Sequence, residues 1–592
     1  MKQFFGAFFG SILGIIISTI IAVLIIVAAI SSSFKDAFKS TDEFKFKQKG
    51  NSVYHLEFNG SIIDRDLKDP FSQIDFGSFG GNKGLGLNML LESIEKAEAD
   101  TSIKGIYMDF KSLSAGQAIV EELRKGLEKF KKSGKWIIAY SEGYSHGTYY
   151  LASVADKVYL NPQGGMEWKG LSMQMMFFKK TLEKLGVDVE IYRHGKFKSA
   201  VEPFMLEKMS EANRLQAETF LNSIWNNMVN DIAKSRKMES AKLQELANNL
   251  AIVFPEDAVN NGLVDELKYE DEVMAEIMSR VKVKEAKKLN LVSIKNYKKY
   301  KPKKKNKSKN EIAVIYAIGQ INSGEGGDDE IGSIRIAKAI KDAREDKDIK
   351  AIVMRVNSPG GSALASDVIW REVTLAKKVK PFVVSMGDVA ASGGYYISCA
   401  ADKIFAEPNT ITGSIGVFGV VPNFRKVYEE KLGITLDTVN TNKHSDMMST
   451  MRGATPTESV FIQKSVEAIY DVFITKVSKG RGMTKEGVDS IGQGRVWSGS
   501  DALNIGLVDE LGGLNEAIAF AASKAKLKDY KLKDLPKQKN PFEDLFGSME
   551  MEAESKMLKR NLGQHYSILK KAQSLQGMKG VQMRLPYLME IY

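Results

Sequence analysis

The chain repeats itself. His146-Gly-Thr-Tyr-Tyr-Leu-Ala-Ser-Val-Ala-Asp-Lys-Val-Tyr-Leu-Asn-Pro162 returns as Ser392-Gly-Gly-Tyr-Tyr-Ile-Ser-Cys-Ala-Ala-Asp-Lys-Ile-Phe-Ala-Glu-Pro408, an offset of 392 − 146 = 246 residues. Ile103-Lys-Gly-Ile-Tyr-Met-Asp109 and Ile349-Lys-Ala-Ile-Val-Met-Arg355 match at the same offset. Farther along, Asp257–Leu267 matches Asp501–Leu511. Stacked solenoid repeats have periods of roughly 20–50 residues, so a period this long means two copies of a whole domain. The length of 592 residues leaves room for both, at about 100–200 residues per domain. With 43% apolar and 27% charged residues, the chain can fill the cores it needs and is not a disordered polymer.

Within each copy, short apolar runs alternate with helical periodicity. Ile312–Ala317, Ala351–Val356 and Phe382–Met386 have strand length and β-branched content. Ile334–Ala343 and Ala363–Lys378, between them, carry the helical period. Strand–helix–strand order predicts an α/β fold with a largely parallel sheet, whose sites form in loops at strand ends.

The N-terminus is of another kind. Phe4 to Ile30 contains no charged residue, long enough at 1.5 Å per residue to cross a bilayer core of about 30 Å. Ala28-Ala29-Ile30-Ser31 is a poor cleavage site, so the expectation is an uncleaved single-pass anchor. Three residues before the span favour N-in, bulk-out insertion, although the flanking charges barely discriminate. The net charge of +11 is concentrated between Lys282 and Lys309. That stretch has few aromatics and no nucleic-acid module beside it, so it is expected to be a solvated linker and not a nucleic-acid site. The single cysteine, Cys399, excludes intrachain disulfides and Cys-rich metal sites, and its apolar surroundings predict a buried thiol.

Two loops of the second copy could carry chemistry. Asn357-Ser-Pro-Gly-Gly-Ser362 follows a strand, and its glycines can turn backbone N–H groups toward one point, as an oxyanion hole requires. The same residues also suit a plain turn, while a phosphate loop lacks its Gly-Lys-Ser/Thr. Gly387-Asp-Val-Ala-Ala-Ser-Gly-Gly-Tyr395 places Ser392 at the start of a helix, either as a nucleophile beside the helix N-terminus or as an ordinary N-cap. A serine nucleophile needs a base. The five histidines (His55, His146, His194, His444 and His565) show no catalytic order. A buried lysine is the other choice, and the first copy offers Lys196 and Lys198 in Gly195-Lys-Phe-Lys-Ser-Ala-Val-Glu-Pro-Phe204. Ser93 and Lys96 form a Ser-x-x-Lys pattern inside a charged helix and are set aside.

Together, Asn357-Ser-Pro-Gly-Gly-Ser362, Ala390-Ala-Ser-Gly-Gly-Tyr-Tyr396, Thr412-Gly-Ser-Ile-Gly416, Gly494-Arg-Val-Trp-Ser-Gly499 and the Lys-Ser-Ala-Val-Glu-Pro-Phe run ending at Phe204 resemble the signal peptide peptidase A family in its long, duplicated form. The resemblance runs from the N-terminal span to about Gly513. It implies tandem crotonase-like (Clp protease-like) domains behind one transmembrane helix, and a Ser–Lys dyad endopeptidase without metal or organic cofactor. Ser392 would be the nucleophile and Lys198 the general base. Ser414 would orient the lysine, and the N–H groups of Gly360 and Gly393 would hold the oxyanion. The implied partners are cleaved signal peptides and other short hydrophobic peptides, the lipid bilayer through residues 4–30, and further copies in a homotetramer. The implied location is the bacterial cytoplasmic membrane, with the catalytic domains on the periplasmic or extracytoplasmic side.

The expected organisation is an anchor at 1–33, a first repeat at 50–280 supplying the lysine and a Lys-rich linker at 281–310. A second repeat at 311–535 supplies the serine, and an extension follows at 536–592. The duplication supports this division. His146 stands where the second copy has Ser392, and Ser114-Ala115 stands where it has Gly360-Gly361. Matching Leu185-Gly with Leu432-Gly sets Ser445 opposite Lys198. Each copy retains half of the dyad, so the site must form where copies meet, within one chain or between chains. Two rivals remain: an acyl-CoA hydratase or isomerase of the crotonase fold, and an inactive membrane scaffold that binds peptides.

Overall fold

A computed structural model of the chain describes residues 50–66, 84–298, 308–538 and 582–584. The segment 1–33, expected to be an anchor, lies outside the described residues, as do 299–307 of the expected linker and most of the expected C-terminal extension. Among the described residues no helix is long and apolar enough to cross a membrane.

The first copy contributes strands β1 (Ser52–Ile63), β2 (Leu85–Gly86), β3 (Ile103–Ser114), β4 (Trp136–Tyr144), β5 (Lys157–Met166), β6 (Asp188–His194), β7 (Glu266–Leu267) and β8 (Leu291–Ser293). The second contributes β9 (Glu311–Ile318), β10 (Gln320–Asn322), β11 (Glu330–Gly332), β12 (Ile349–Ser358), β13 (Gly360–Ser362), β14 (Phe382–Ala391), β15 (Lys403–Ala406), β16 (Ile411–Gly413), β17 (Val417–Asn423), β18 (Val496–Ser498), β19 (Glu510–Leu511) and β20 (Lys531–Leu535). A last strand, β21 (Gln582–Arg584), lies near the C-terminus.

The duplication is visible in the topology. Strands run β8-β1-β3-β4-β5-β7 in one main sheet and β20-β9-β12-β14-β15-β19 in the other, and every pair in both series is parallel. Their interior strands are apolar on both faces because helices cover both sides, as a parallel sheet requires. In β12, residues 351–356 are all buried. The helices read over 334–343 and 363–378 extend over Ser333–Glu345 and Ala363–Lys377, the second capped by the Ser362 hydroxyl.

Two strands run farther than their apolar composition suggests. β12 continues to Ser358 and β14 to Ala391, through residues that the Gly- and Asp-rich sequence marks as loop. The ladder breaks register between Val356 and Ser358, then resumes with Ser358 beside Ala390, while Val389–Ala391 pair with β16. This pairing, invisible to local sequence, holds the loops extended.

A third sheet joins the copies in the order β11-β10-β13-β21-β17-β6. β6 of the first copy pairs antiparallel with β17 of the second, from Asp188 opposite Asn423 to His194 opposite Val417. The chain leaves β6 at His194 and reaches Lys198 four residues later, already inside the second copy.

Candidate active site

Ser392 sits between β14 and the short helix Gly393–Ser398 with φ 57° and ψ −112°. A non-glycine residue there carries strain of order 1–3 kcal/mol, tolerated only when its surroundings hold it. They do: the Ser392 N–H donates to the Gly413 carbonyl at 2.8 Å, and its own carbonyl accepts from the Tyr396 N–H at 2.9 Å. Its side chain makes no capping bond to the helix, so the N-cap alternative is not what the fold uses. The hydroxyl instead lies 2.9 Å from Lys198 Nζ.

Lys198 is fully buried, whereas Lys196, two residues earlier, is exposed beside the ring of Phe197. Lys198 Nζ is also 3.0 Å from Ser414 Oγ and 3.1 Å from the Ser414 carbonyl. Among the described residues it forms no ion pair, and burial alone drives its pKa well below the ordinary lysine value. A neutral amine can donate to Ser414 and keep its lone pair for the Ser392 proton. The loop Gly492–Arg495 closes over the lysine. A Cβ at Gly494, where φ is +84°, would lie 2.6 Å from Lys198 Cα. The Ser414 N–H donates to the Arg495 carbonyl at 2.7 Å and holds Ser414 at φ 49°. All of this occurs within one chain.

Gly360 and Gly393 pack backbone to backbone beside Ser392. A Cβ on Gly360, where φ is +95°, would lie 2.6 Å from Gly393 N and 2.1 Å from the Met583 carbonyl. The Gly360 N–H donates to Ser358 Oγ at 3.1 Å, so it would have to swing or share to reach a substrate oxygen. β21 pairs antiparallel with β13, placing Met583 opposite Gly361 and Arg584 opposite Gly360. The chain's own C-terminal strand thus lines this edge.

The corresponding places in the first copy are closed. His146 is buried against Trp168 and Trp225, and its Nε2 accepts from the Lys169 N–H at 3.1 Å. Ser445, opposite Lys198 in the alignment, lies exposed in a turn and bonds to Asn442. Of the other histidines, His55 faces Asp109, His194 stacks on Tyr470, and His444 bonds Glu458, while His565 lies outside the described residues. Ser93 is buried against Tyr54, and Lys96 pairs with Glu92, so that pattern is structural. Cys399 is a buried free thiol.

Local sequence does not single out Gln216, from the long helix Glu211–Arg236. Its Nε2 donates to the Phe197 carbonyl at 3.2 Å and to Ser199 Oγ at 2.8 Å, while its Oε1 accepts from the Val496 N–H at 3.3 Å. One buried amide therefore ties both sides of the lysine's socket. A polar residue on the inner face of a helix was the available signal. Among the described residues no group of His, Cys, Asp or Glu could hold a metal ion.

The arrangement couples a buried hydroxyl, a buried amine whose pKa burial lowers and two adjacent glycine backbones, the kind of parts that acyl transfer needs. The Peptidase family S49 profile matches residues 129–284 and 374–528, one segment in each copy, and the Clp protease profile matches 304–412. Protease 4 of Haemophilus influenzae is 38% identical over 72% of this chain and 71% of its own length. Protease 4 of Salmonella typhi is 36% identical over 82% of this chain and 80% of its own. The chloroplastic serine protease SPPA of Arabidopsis thaliana is 35% identical over 80% of this chain and 69% of its own.

Proposed function

The chain belongs to peptidase family S49 and is a serine-type peptidase, and we propose that it is a membrane-anchored endopeptidase in which Lys198 activates Ser392 to degrade cleaved signal peptides and other short hydrophobic peptides. The reading rests above all on one observation: a fully buried lysine that forms no ion pair among the described residues has its Nζ 2.9 Å from the hydroxyl of a backbone-strained serine.

The chemistry follows from the geometry. Lys198 takes the Ser392 proton as Oγ attacks the peptide carbonyl, and Ser414 keeps the amine aimed. The Gly360 and Gly393 N–H groups receive the oxyanion, the first by turning from Ser358 Oγ; such a donor is typically worth about 3–4 kcal/mol. The lysine passes its proton to the leaving amine, and a water activated by the same amine releases the acyl group. Among the described residues no carboxylate bonds to Lys198 Nζ, which favours this route over the acidic chemistry of a hydratase.

An extended peptide suits the β13 edge, where β21 already pairs antiparallel and Met583 is buried. The uncharged stretch Phe4–Ile30 supports a single-pass anchor in the bacterial cytoplasmic membrane, with the catalytic copies outside the cytoplasm. Assembly as a homotetramer belongs to the same reading.

The test is hydrolysis of casein and of a synthetic signal peptide by the full chain in detergent, with fluorophosphonate labelling alongside. Wild type should cleave and label at Ser392. Ser392→Ala and Lys198→Ala should fall to background with unchanged circular dichroism. A Lys198→Ala variant of near-normal rate would assign the base elsewhere. A folded wild type that neither cleaves nor labels would favour a peptide-binding scaffold.

A further inference from the structure

The first copy reaches the site by a second route besides its lysine. Asp64, just beyond β1, is buried, and its two oxygens are used by two residues of the second copy. Oδ1 accepts from Arg355 Nε at 2.7 Å, and Oδ2 accepts from Asn357 Nδ2 at 2.5 Å. Asn357 Oδ1 in turn accepts from the Val389 N–H at 3.1 Å. Asn357 stands three residues before Gly360, and Val389 three residues before Ser392. One amide therefore ties the strand carrying one inward N–H group to the strand carrying the serine and the other N–H group. Gly387 lies flat against it: a Cβ there would be 3.1 Å from Asn357 Cβ, Cγ and Nδ2.

The first copy supplies an internal control. At the offset of 246 residues, Asn357 becomes Lys111, Gly387 becomes Ser141 and Val389 becomes Gly143. There the Gly143 N–H donates to Ser141 Oγ at 3.1 Å, a bond within one strand, and Lys111 pairs with Asp109. β3 and β4 still pair in parallel, and β4 keeps its irregularity between Ser141 and Gly143 where it meets β5. Without an interstrand amide the β3–β4 ladder stops at Phe110 opposite Ser141, whereas the β12–β14 ladder resumes with Ser358 opposite Ala390. The amide is found in the copy that carries the serine, and the copy without the serine solves the same backbone problem locally.

We infer that Asp64, acting through Asn357, is a positioning element that sets the spacing between the oxyanion strand and the serine-bearing loop. This rests on the peptidase reading above. Asp388 is the other acid facing the amide, with Oδ2 3.4 Å from Asn357 Nδ2 and Oδ1 accepting from the Ile119 N–H at 3.1 Å. It adds a second, longer contact from Asn357 on β12 to β14, beside the one to the Val389 N–H.

The test uses Asn357→Asp, Asp64→Asn and the reciprocal double variant in the full chain. Asn357→Asp loses the donor and sets a third carboxylate against Asp64 and Asp388. The double variant restores a donor at 64 and an acceptor at 357 that still receives the Val389 N–H, and the amide oxygen at 64 can still receive Arg355. Read together are kcat and KM on a peptide, the rate of Ser392 labelling and the thermal midpoint. Asn357→Asp should lower kcat and labelling by about 10–100-fold with KM nearly unchanged, the scale expected for about 1 Å of misplacement. The double variant should recover to within about threefold. If the single variants lower only the thermal midpoint, or the double variant regains stability without kcat, the positioning role is overturned. If wild type itself neither cleaves nor labels, the peptidase reading fails, and this inference with it.

Discussion

Lys198 works as a base only if its proton is already gone. A lysine of ordinary pKa near 10.4 is neutral in about one molecule in 2,500 at pH 7, a standing barrier of about 4.6 kcal/mol. Burial lowers that barrier here, with no ion pair to Lys198 among the described residues. Restoring a counter-ion should raise it again, and Ser414 is the place to do so. Its Oγ is 3.0 Å from Nζ, and its φ of 49° is a conformation that Asp and Asn tolerate better than most residues. In Ser414→Asp an opposite charge at roughly 4 Å, with an effective dielectric constant near 20, is worth about 4 kcal/mol. Measured shifts from such neighbours run to about 1–3 pKa units, and the lower end allows for part of the charge being lost to protonation of the new carboxyl. Ser414→Asn is the neutral control, since it removes the same hydroxyl. The assay is the rate of Ser392 labelling and peptide hydrolysis from pH 6 to 10. The Asn variant should lose some rate at every pH with its midpoint unmoved. The Asp variant should show its midpoint displaced upward by about 1–3 units, with activity at pH 7 reduced about 10–1,000-fold and largely regained by pH 10. Coincident midpoints for the two variants would refute the reasoning, because the rate would then not follow the protonation of this amine.

Three further outcomes are expected. Ser392→Gly should unfold at a higher temperature than Ser392→Ala by the equivalent of about 1 kcal/mol, since glycine alone relieves the strain at φ 57°; equal midpoints would mean that the backbone is not strained. Met583→Pro places a residue that strands disfavour opposite Gly361 in β21 and should lower KM for an added peptide several-fold at constant kcat, whereas an unchanged KM would show that peptides do not use the β13 edge. Burial pushes the Glu407 carboxyl up to about 7 against the pull of Lys125. A raised acid pKa gives stability that is present at low pH and lost as pH rises toward 7. Glu407→Gln should therefore gain on wild type by up to about 1.4 kcal/mol per pH unit between about pH 4.5 and 7, read as thermal midpoints, and a gap independent of pH would contradict the assignment.

Much of the organisation was legible because it rests on local and periodic signals. The 246-residue offset foretold two sheets of one topology, and apolar runs marked β9, β12 and β14 to within a few residues at their starts. Strand ends were not legible, since Ser358 and Val389–Ala391 are held extended by partners remote in sequence. The same limit hid Gln216 and Asp64, ordinary polar residues whose importance lies in what they meet.

The sequence by itself determined that the chain is duplicated, that each copy is built of alternating strands and helices, and that Ser392 and Lys198 fall in different copies. These follow from residue identity and spacing, which need no knowledge of contacts. Only the tertiary structure decided that Ser392 and Lys198 meet within one chain, through the β6–β17 ladder. It alone distinguished the buried Lys198 from the exposed Lys196, two residues apart in one motif. The physical reason is that a lysine's proton affinity is set by how much water and how many charges surround it, and those are properties of packing between segments that the sequence keeps nearly 200 residues apart.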